Sequence, residues 1–289
     1  MQSIFRYPGG KTRKGVRELI LGYAPERFTE YREPFVGGGG IYFSIDPKKT
    51  RWINDANRHL VNVYESLRDN PGKFIEKCKS IKPPQKGEEE VYPKANSSGK
   101  KYNARLKKEF DKVSYDETGD QAFRYFFINR TVWAGRVNFE PCMKSRMYFS
   151  NPEGWNIVKT NRLEAAAEIV LNTKITCGDY SSLLSAPGDS VWIYCDPPYY
   201  KDTLSTKQSK LYSNNFSKQD HIRLASDVKK CKHRVCVSYD DDDYGVVRKL
   251  YEGFYIYDVS WTYCGTSSAK NQSKTKRKGK ELLILNYQI

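Results

Sequence analysis

Seven short runs rich in β-branched and aromatic residues punctuate the chain, each bounded by Gly, Pro or Asp. They are REPFV (32–36), TRWI (50–53), KITC (174–177), SVWIYC (190–195), RVCVSY (234–239), FYIYDVSW (254–261) and ELLILNY (281–287). Several are apolar almost throughout, as strands covered on both faces must be. Helical patterns lie between them. In 57–69 the apolar positions Leu60, Val61, Tyr64 and Leu67 repeat at helical spacing. FSKQDHIRLASDVKKC opens with Ser217 and carries Asp220 three residues later, a capping-box start, with Ile222, Ala225 and Val228 marking its buried face. Strands alternating with helices predict an α/β fold: a seven-stranded, mostly parallel sheet with helices on both sides.

One stretch breaks this rhythm. Residues 60 to about 173 show helical periodicity (Tyr102, Leu106, Phe110, Val113, then Phe123, Phe126, Phe127) with little strand signal. They read as a mainly helical insertion between the second and third strands, with a loop at 83–101. The domains expected are therefore 1–59 plus 174–289, and 60–173. A second polar stretch, 265–280, carries basic residues and no acid.

Charge narrows the partners. Lys and Arg number 49 against 34 Asp and Glu, a formal +15, which draws a protein to polyanions through counterion release. The 22 Tyr, 13 Phe and 5 Trp add stacking surfaces suited to nucleic acid. The 7 Cys form no C-x-x-C pair and the 3 His are scattered, so neither a zinc site nor a disulfide frame is expected. No membrane span or signal-peptide core is visible, and the expected location is cytoplasmic.

FRYPGGKT (5–12) invites comparison with a phosphate-binding P-loop. That motif needs a glycine five residues before its Gly-Lys, and Phe5 stands there. EPFVGGGG places Gly37, Gly38 and Gly39 after a strand, followed by the apolar helix start IYFSI. Such a turn is either a plain strand–helix connection or an approach for an adenosine-type cofactor. Tyr42 breaks the dinucleotide fingerprint, while Asp55, eighteen residues beyond Gly37, is placed for a ribose diol.

WIYCDPPYY (192–200) is the decisive stretch. A buried strand ends in Asp196, Pro197, Pro198 and Tyr199, at the strand end where open α/β sheets bind ligands. The prolines remove two N–H groups. Asp196 and a proline carbonyl can then accept from an exocyclic amino group while Tyr199 stacks on its ring.

FRYPGGK, EPFVGGGG, NDAN, GDY (178–180), DPPYY and ELLILNY, in this order, resemble the Dam-like (D12 class) DNA adenine-N6 methyltransferases. The likeness covers 1–65 and 174–289. It implies a Rossmann-like S-adenosylmethionine-dependent methyltransferase sheet, with S-adenosylhomocysteine as product and no metal. Tyr7 and Lys11 would line the cofactor pocket, Phe35 and Gly37–Gly39 would form the methionine-side loop, and Asp55 would hold the ribose. Asp179 would accept from the cofactor's adenine amino group, with Tyr180 beside it. The insertion would be the target-recognition domain. FFINRTVWAGRVNF (126–139) matches the family's N-R…G pattern at Asn129, Arg130 and Gly135, and Arg124, Arg136, Lys144 and Arg146 would join Asn129 and Arg130 at DNA. EPCMKSRMYFSNPEG departs from members that read GATC.

The implied partners are double-stranded DNA and a cognate restriction endonuclease, the chain acting as a monomer or weak dimer. The adenine N6 lone pair is delocalised, so Asp196 and the Pro197 carbonyl would align and localise it after base flipping. Two rival readings stand beside this one. The first is an RNA or protein amino-methyltransferase, since the turn suits any planar amino group. The second is a non-catalytic DNA-binding regulator. Of SYDDDD (238–243), consecutive acids do not converge on one ion, and a loop or helix-start role is expected.

Overall fold

The computed structural model describes residues 1–7, 11–91, 101–116, 118–137, 139, 149–200, 216–242, 245–262 and 278–289. In chain order its first elements are α1 (Lys14–Gly22), β1 (Glu30–Glu33), β2 (Thr50–Asp55), α2 (Arg58–Asp69), α3 (Pro71–Ser80), β3 (Glu89–Val91) and β4 (Lys101–Asn103). Next come α4 (Ala104–Tyr115), α5 (Gln121–Thr131), α6 (Arg162–Val170), β5 (Thr173–Cys177), α7 (Ser181–Ser185) and β6 (Val191–Cys195). The last are α8 (Lys218–Lys230), β7 (Arg234–Asp240), α9 (Val246–Leu250), β8 (Tyr255–Thr262) and β9 (Lys278–Leu285). Two compact units result. One holds Ser3–Pro8 with Arg58–Asn172, the other Gly9–Asn57 with Thr173–Ile289.

The second unit is the expected seven-stranded sheet, in the order β5-β2-β1-β6-β7-β9-β8. Every pairing is parallel except those of β9, which runs antiparallel to β7 and β8. The chain winds outward from β1 to β2 and β5, then crosses to β6 and winds the other way. Loops leaving β1 and β6 therefore diverge at a topological switch point, where such sheets bind ligands. All five residues of β6 are buried, which explains its apolar run.

Local chemistry sets the element ends. β1 starts and stops earlier than its apolar pattern implied, because Pro34 has no N–H to continue the ladder. IYFSI yields only a three-residue 3-10 turn, Tyr42–Ser44, in place of the expected helix start, and the chain is extended again at Ile45, two residues before Pro47. α8 does open with a reciprocal Ser217–Asp220 capping box. Its buried face, however, is His221, Leu224, Ala225 and Val228, and Ile222 is exposed. His221 is admitted to the core because its ring hydrogen-bonds the Tyr239 hydroxyl at 2.8 Å. Asp242 caps α9, accepting from the Val246 and Val247 N–H groups at 2.9 and 2.8 Å.

The first unit is mainly helical. α2 and α5 pack through Leu60, Tyr64, Leu67, Phe123, Phe126 and Phe127, with Trp155 buried against α5. β3, inside the 83–101 stretch where a loop was expected, pairs antiparallel with β4 at its end and just beyond; residues 92–100 lie outside the described residues. The chain's start also belongs here. Phe5, the residue that broke the P-loop pattern, packs its ring against Tyr64 and Phe126.

Candidate active site

Three loops leave the same end of the sheet, after β1, β2 and β5, and one buried side chain ties them together. Asn54 donates to the Pro34 and Gly178 carbonyls, both at 3.0 Å, and accepts from the Thr176 hydroxyl at 2.9 Å. Asp55 adds a second tie. Its carboxylate accepts from the Gly37 and Asn57 N–H groups, each at 2.9 Å. Burial pushes the Asp55 carboxyl up, and those two N–H groups pull it back. Gly37 and Gly39 have φ of 46° and 66°, left-handed values that favour glycine.

Aromatic rings and a second acid flank this loop. Phe35 and Tyr180 lie 5.3 Å apart at an interplanar angle of 32°, and Phe216 meets Phe35 edge-on. Asp179 is exposed and held by Arg223 of α8 at 2.7 and 3.2 Å. The Arg223 hydrogen bonds hold the Asp179 carboxyl down at about 2. Arg223 also stacks over the Tyr180 ring at 4.5 Å, and the Tyr180 hydroxyl donates to Asp227 at 2.9 Å. Neither Arg223 nor Asp227 was marked by any motif.

The turn after β6 carries a denser network. The Lys11 ammonium donates to Asp196 at 2.8 and 3.0 Å and to the Tyr199 hydroxyl at 2.5 Å. Ser238 of β7 donates to Asp196 at 2.7 Å, and Tyr194 shares a 2.9 Å hydrogen bond with Ser238. Tyr199 donates in turn to Glu281 of β9 at 2.8 Å. Glu281 is buried, and burial pushes its carboxyl up to about 8 against the pull of Lys11. Pro197 is buried and Pro198 half-buried. Lys11 reaches this point because Gly40 lacks a side chain: a Cβ there would stand 2.9 Å from the Lys11 carbonyl carbon.

The glycine loop and the Asp196 turn thus leave neighbouring parallel strands, β1 and β6. Lys11, Asp55, Asp179, Tyr180, Phe35, Asp196 and Tyr199 all belong to the sheet unit. Tyr7 belongs to the helical unit.

The residues expected at DNA divide differently. Asn129 is fully buried, accepting from Arg6 N–H at 3.0 Å and donating to the Arg6 and Gly135 carbonyls at 2.8 and 2.9 Å. Arg130 donates to the carbonyls of Gly154 and Ile4, both at 3.0 Å, and burial lowers its pKa to about 9. Arg124 is buried too, donating to the Ser114 carbonyl at 2.6 Å. All three donate to backbone carbonyls of their own unit, Arg124 and Asn129 from buried positions and Arg130 from a half-buried one. Arg136 is exposed, stacked over the exposed Trp133 ring at 4.5 Å. Lys144 and Arg146 lie outside the described residues.

Comparison with known proteins places the whole arrangement in a family. The model of the D12 class N6 adenine-specific DNA methyltransferase family matches residues 7–264. The Type II methyltransferase M1.LlaDCHI of Lactococcus lactis subsp. cremoris is 29% identical, over 97% of this chain and 95% of that protein. The Type II methyltransferase M.MjaIII of Methanocaldococcus jannaschii is 26% identical over 99% of both. The DNA adenine methylase of Vibrio cholerae is 26% identical over 87% of this chain and 85% of its own length.

Proposed function

The chain belongs to the D12 class of N6 adenine-specific DNA methyltransferases, and from that premise we propose the following activity. It transfers a methyl group from S-adenosylmethionine to the N6 amino group of adenine within a specific duplex sequence, with the target base flipped out of the stack. The observation that carries the reading is the Asp196 turn: a carboxylate and proline carbonyls at the switch point, beside Tyr199 and next to the glycine loop.

The residues present suit the cofactor. Left-handed glycines let the backbone approach it, Asp55 offers acceptor oxygens to a ribose diol, and Phe35 and Tyr180 offer ring faces to its adenine. Asp179 would accept from the adenine amino group, with Arg223 fixing its direction. When bound, S-adenosylmethionine supplies a methyl already activated by the sulfonium charge.

The chain's own groups then act on the target. Asp196 and the Pro197 carbonyl accept the two N6 hydrogens and direct the nitrogen lone pair. Tyr199 holds the base by its ring face, with its hydroxyl anchored on Glu281. Ser238 fixes the Asp196 carboxylate. This is alignment and preorganised electrostatics. The proton left on N6 after transfer passes to the Asp196 carboxylate. In the helical unit Arg136 and Trp133 present a cation and a ring face to DNA, joined by Lys144 and Arg146, while Asn129 and Arg130 shape the backbone beneath. The likeness to proteins named Type II methyltransferases supports a modification role beside a restriction endonuclease.

The test is transfer of labelled methyl from S-adenosylmethionine to unmethylated genomic DNA, with the product identified by nucleoside mass spectrometry. N6-methyladenine is expected, falling at least a hundredfold in Asp196→Ala, on the order of losing one oxyanion-type contact or more. Tight cofactor binding without DNA methylation overturns the reading.

A further inference from the structure

In this structure both Asp196 oxygens are engaged by the Lys11 ammonium, and one also takes the Ser238 hydroxyl. If Asp196 accepts a target amino group, as proposed above, that group competes with the ammonium for the carboxylate's acceptor sites. A cation released in a buried site needs another counter-charge, since leaving it unpaired costs several kcal/mol.

The structure offers one. Tyr199 accepts from Lys11 at 2.5 Å and donates to Glu281 Oε2 at 2.8 Å, so a single hydroxyl lies between the ammonium and the carboxyl. Glu281 Oε1 is buried without a hydrogen-bond partner among the described residues. A buried polar oxygen without a partner costs about 1–3 kcal/mol, and once the carboxyl ionises a new donor would relieve it.

We infer that Glu281 is a positioning residue that receives the Lys11 ammonium when the target amino group takes Asp196. It anchors the Tyr199 hydroxyl before and after this exchange. Lys11 thereby moves between two carboxylates, and Asp196 is freed without stranding a charge. This rests on the reading of Asp196 given above, and it gives a role to a residue of β9 that had none in the sequence reading.

The groups facing Glu281 are Lys11 from the segment before α1, Asp196 and Tyr199 after β6, and Asp240 on β7; β8 places Val259 opposite it. With Lys11 on Asp196, burial keeps the Glu281 carboxyl protonated up to about pH 8. Receiving the ammonium favours the ionised form, so Glu281 releases its proton to solvent as the target binds. Binding coupled to release of one proton strengthens by about tenfold per pH unit below the free-state pKa and levels off above it. His221, the buried imidazole beneath Tyr239, titrates at about 4 and lies outside that window.

The experiment measures kcat/KM for unmethylated genomic DNA between about pH 6 and 9, with cofactor saturating, for the full chain and two variants. For the wild type, kcat/KM is expected to rise with pH and level near 8. Glu281→Gln keeps an acceptor for Tyr199 but cannot ionise, so its kcat/KM should flatten across the same range and fall about tenfold at pH 8. Lys11→Met removes the cation that needs a receiver and should flatten the same limb by the other route. A thermal melt of each variant guards against misfolding, and either folded variant alone decides the matter. A folded Glu281→Gln or Lys11→Met enzyme with the wild-type pH limb overturns the inference while leaving the methyltransferase reading intact. Absence of N6-methyladenine from the wild type overturns both.

Discussion

Asn54 has one acceptor oxygen and two amide hydrogens, and all three hold loops of the candidate site. Replacing it by leucine keeps the volume but strands the buried carbonyls of Pro34 and Gly178. Each orphaned carbonyl costs about 1–3 kcal/mol, so Asn54→Leu should destabilise the fold by that order at least. Urea titration measures it, and cofactor affinity should fall in parallel as the three loops loosen. At this scale, legibility depended on where a residue's partner lies. Asp196, Tyr199, Asp55 and the glycines announced themselves because their neighbours in sequence make the motif. Arg223, Glu281, Ser238 and Asn54 act on residues contributed by other strands and helices, so the sequence runs that contain them gave no sign of these roles. For Arg124, Asn129 and Arg130, the family pattern and basic charge suggested a role at DNA, and in the structure backbone carbonyls from Ser114, Arg6, Gly154 and Ile4 take up their donors.

At the scale of elements, α8 links stability to the Asp179–Tyr180 part of the candidate site. Its capping box satisfies the Asp220 N–H through the Ser217 hydroxyl and the Ser217 N–H through the Asp220 carboxylate. The helix so begun carries Arg223 to Asp179 and Asp227 to Tyr180. Ser217→Ala should cost about 1 kcal/mol, read from the denaturation midpoint at unchanged slope. The capping box was legible because its two members lie three residues apart. The helix's buried face was not, because hydrophobicity assigns His221 to water, and only its hydrogen bond to Tyr239 makes burial tolerable. The strands were legible for a different reason: a sheet covered on both faces needs apolar runs, and few other structures do. The β3–β4 hairpin escaped notice because its three-residue strands carry Glu89, Glu90 and Lys101 rather than an apolar alternation.

For the whole molecule, a formal charge of +15 makes ionic strength a strong lever on DNA. Affinity for duplex DNA should fall linearly on log–log axes with salt, by roughly tenfold or more between 50 and 200 mM. Fluorescence anisotropy with a labelled duplex measures the slope, and a flat response would deny that phosphate contacts dominate. The helical unit has a further property, set by how its chain is assembled. Its interior is closed by the first residues of the protein: Asn129 binds the Arg6 backbone, Arg130 the Ile4 carbonyl and Arg162 the Ser3 carbonyl. Gly135 is committed to the same arrangement, since a Cβ there would fall 1.9 Å from the Arg6 carbonyl oxygen. Grafting 58–172 from a relative onto this sheet would therefore mismatch the buried Asn129 position and the half-buried Arg130 and Arg162 positions with residues 3–6. This unit is therefore best transplanted as two pieces, the insert together with residues 3–7 that close it.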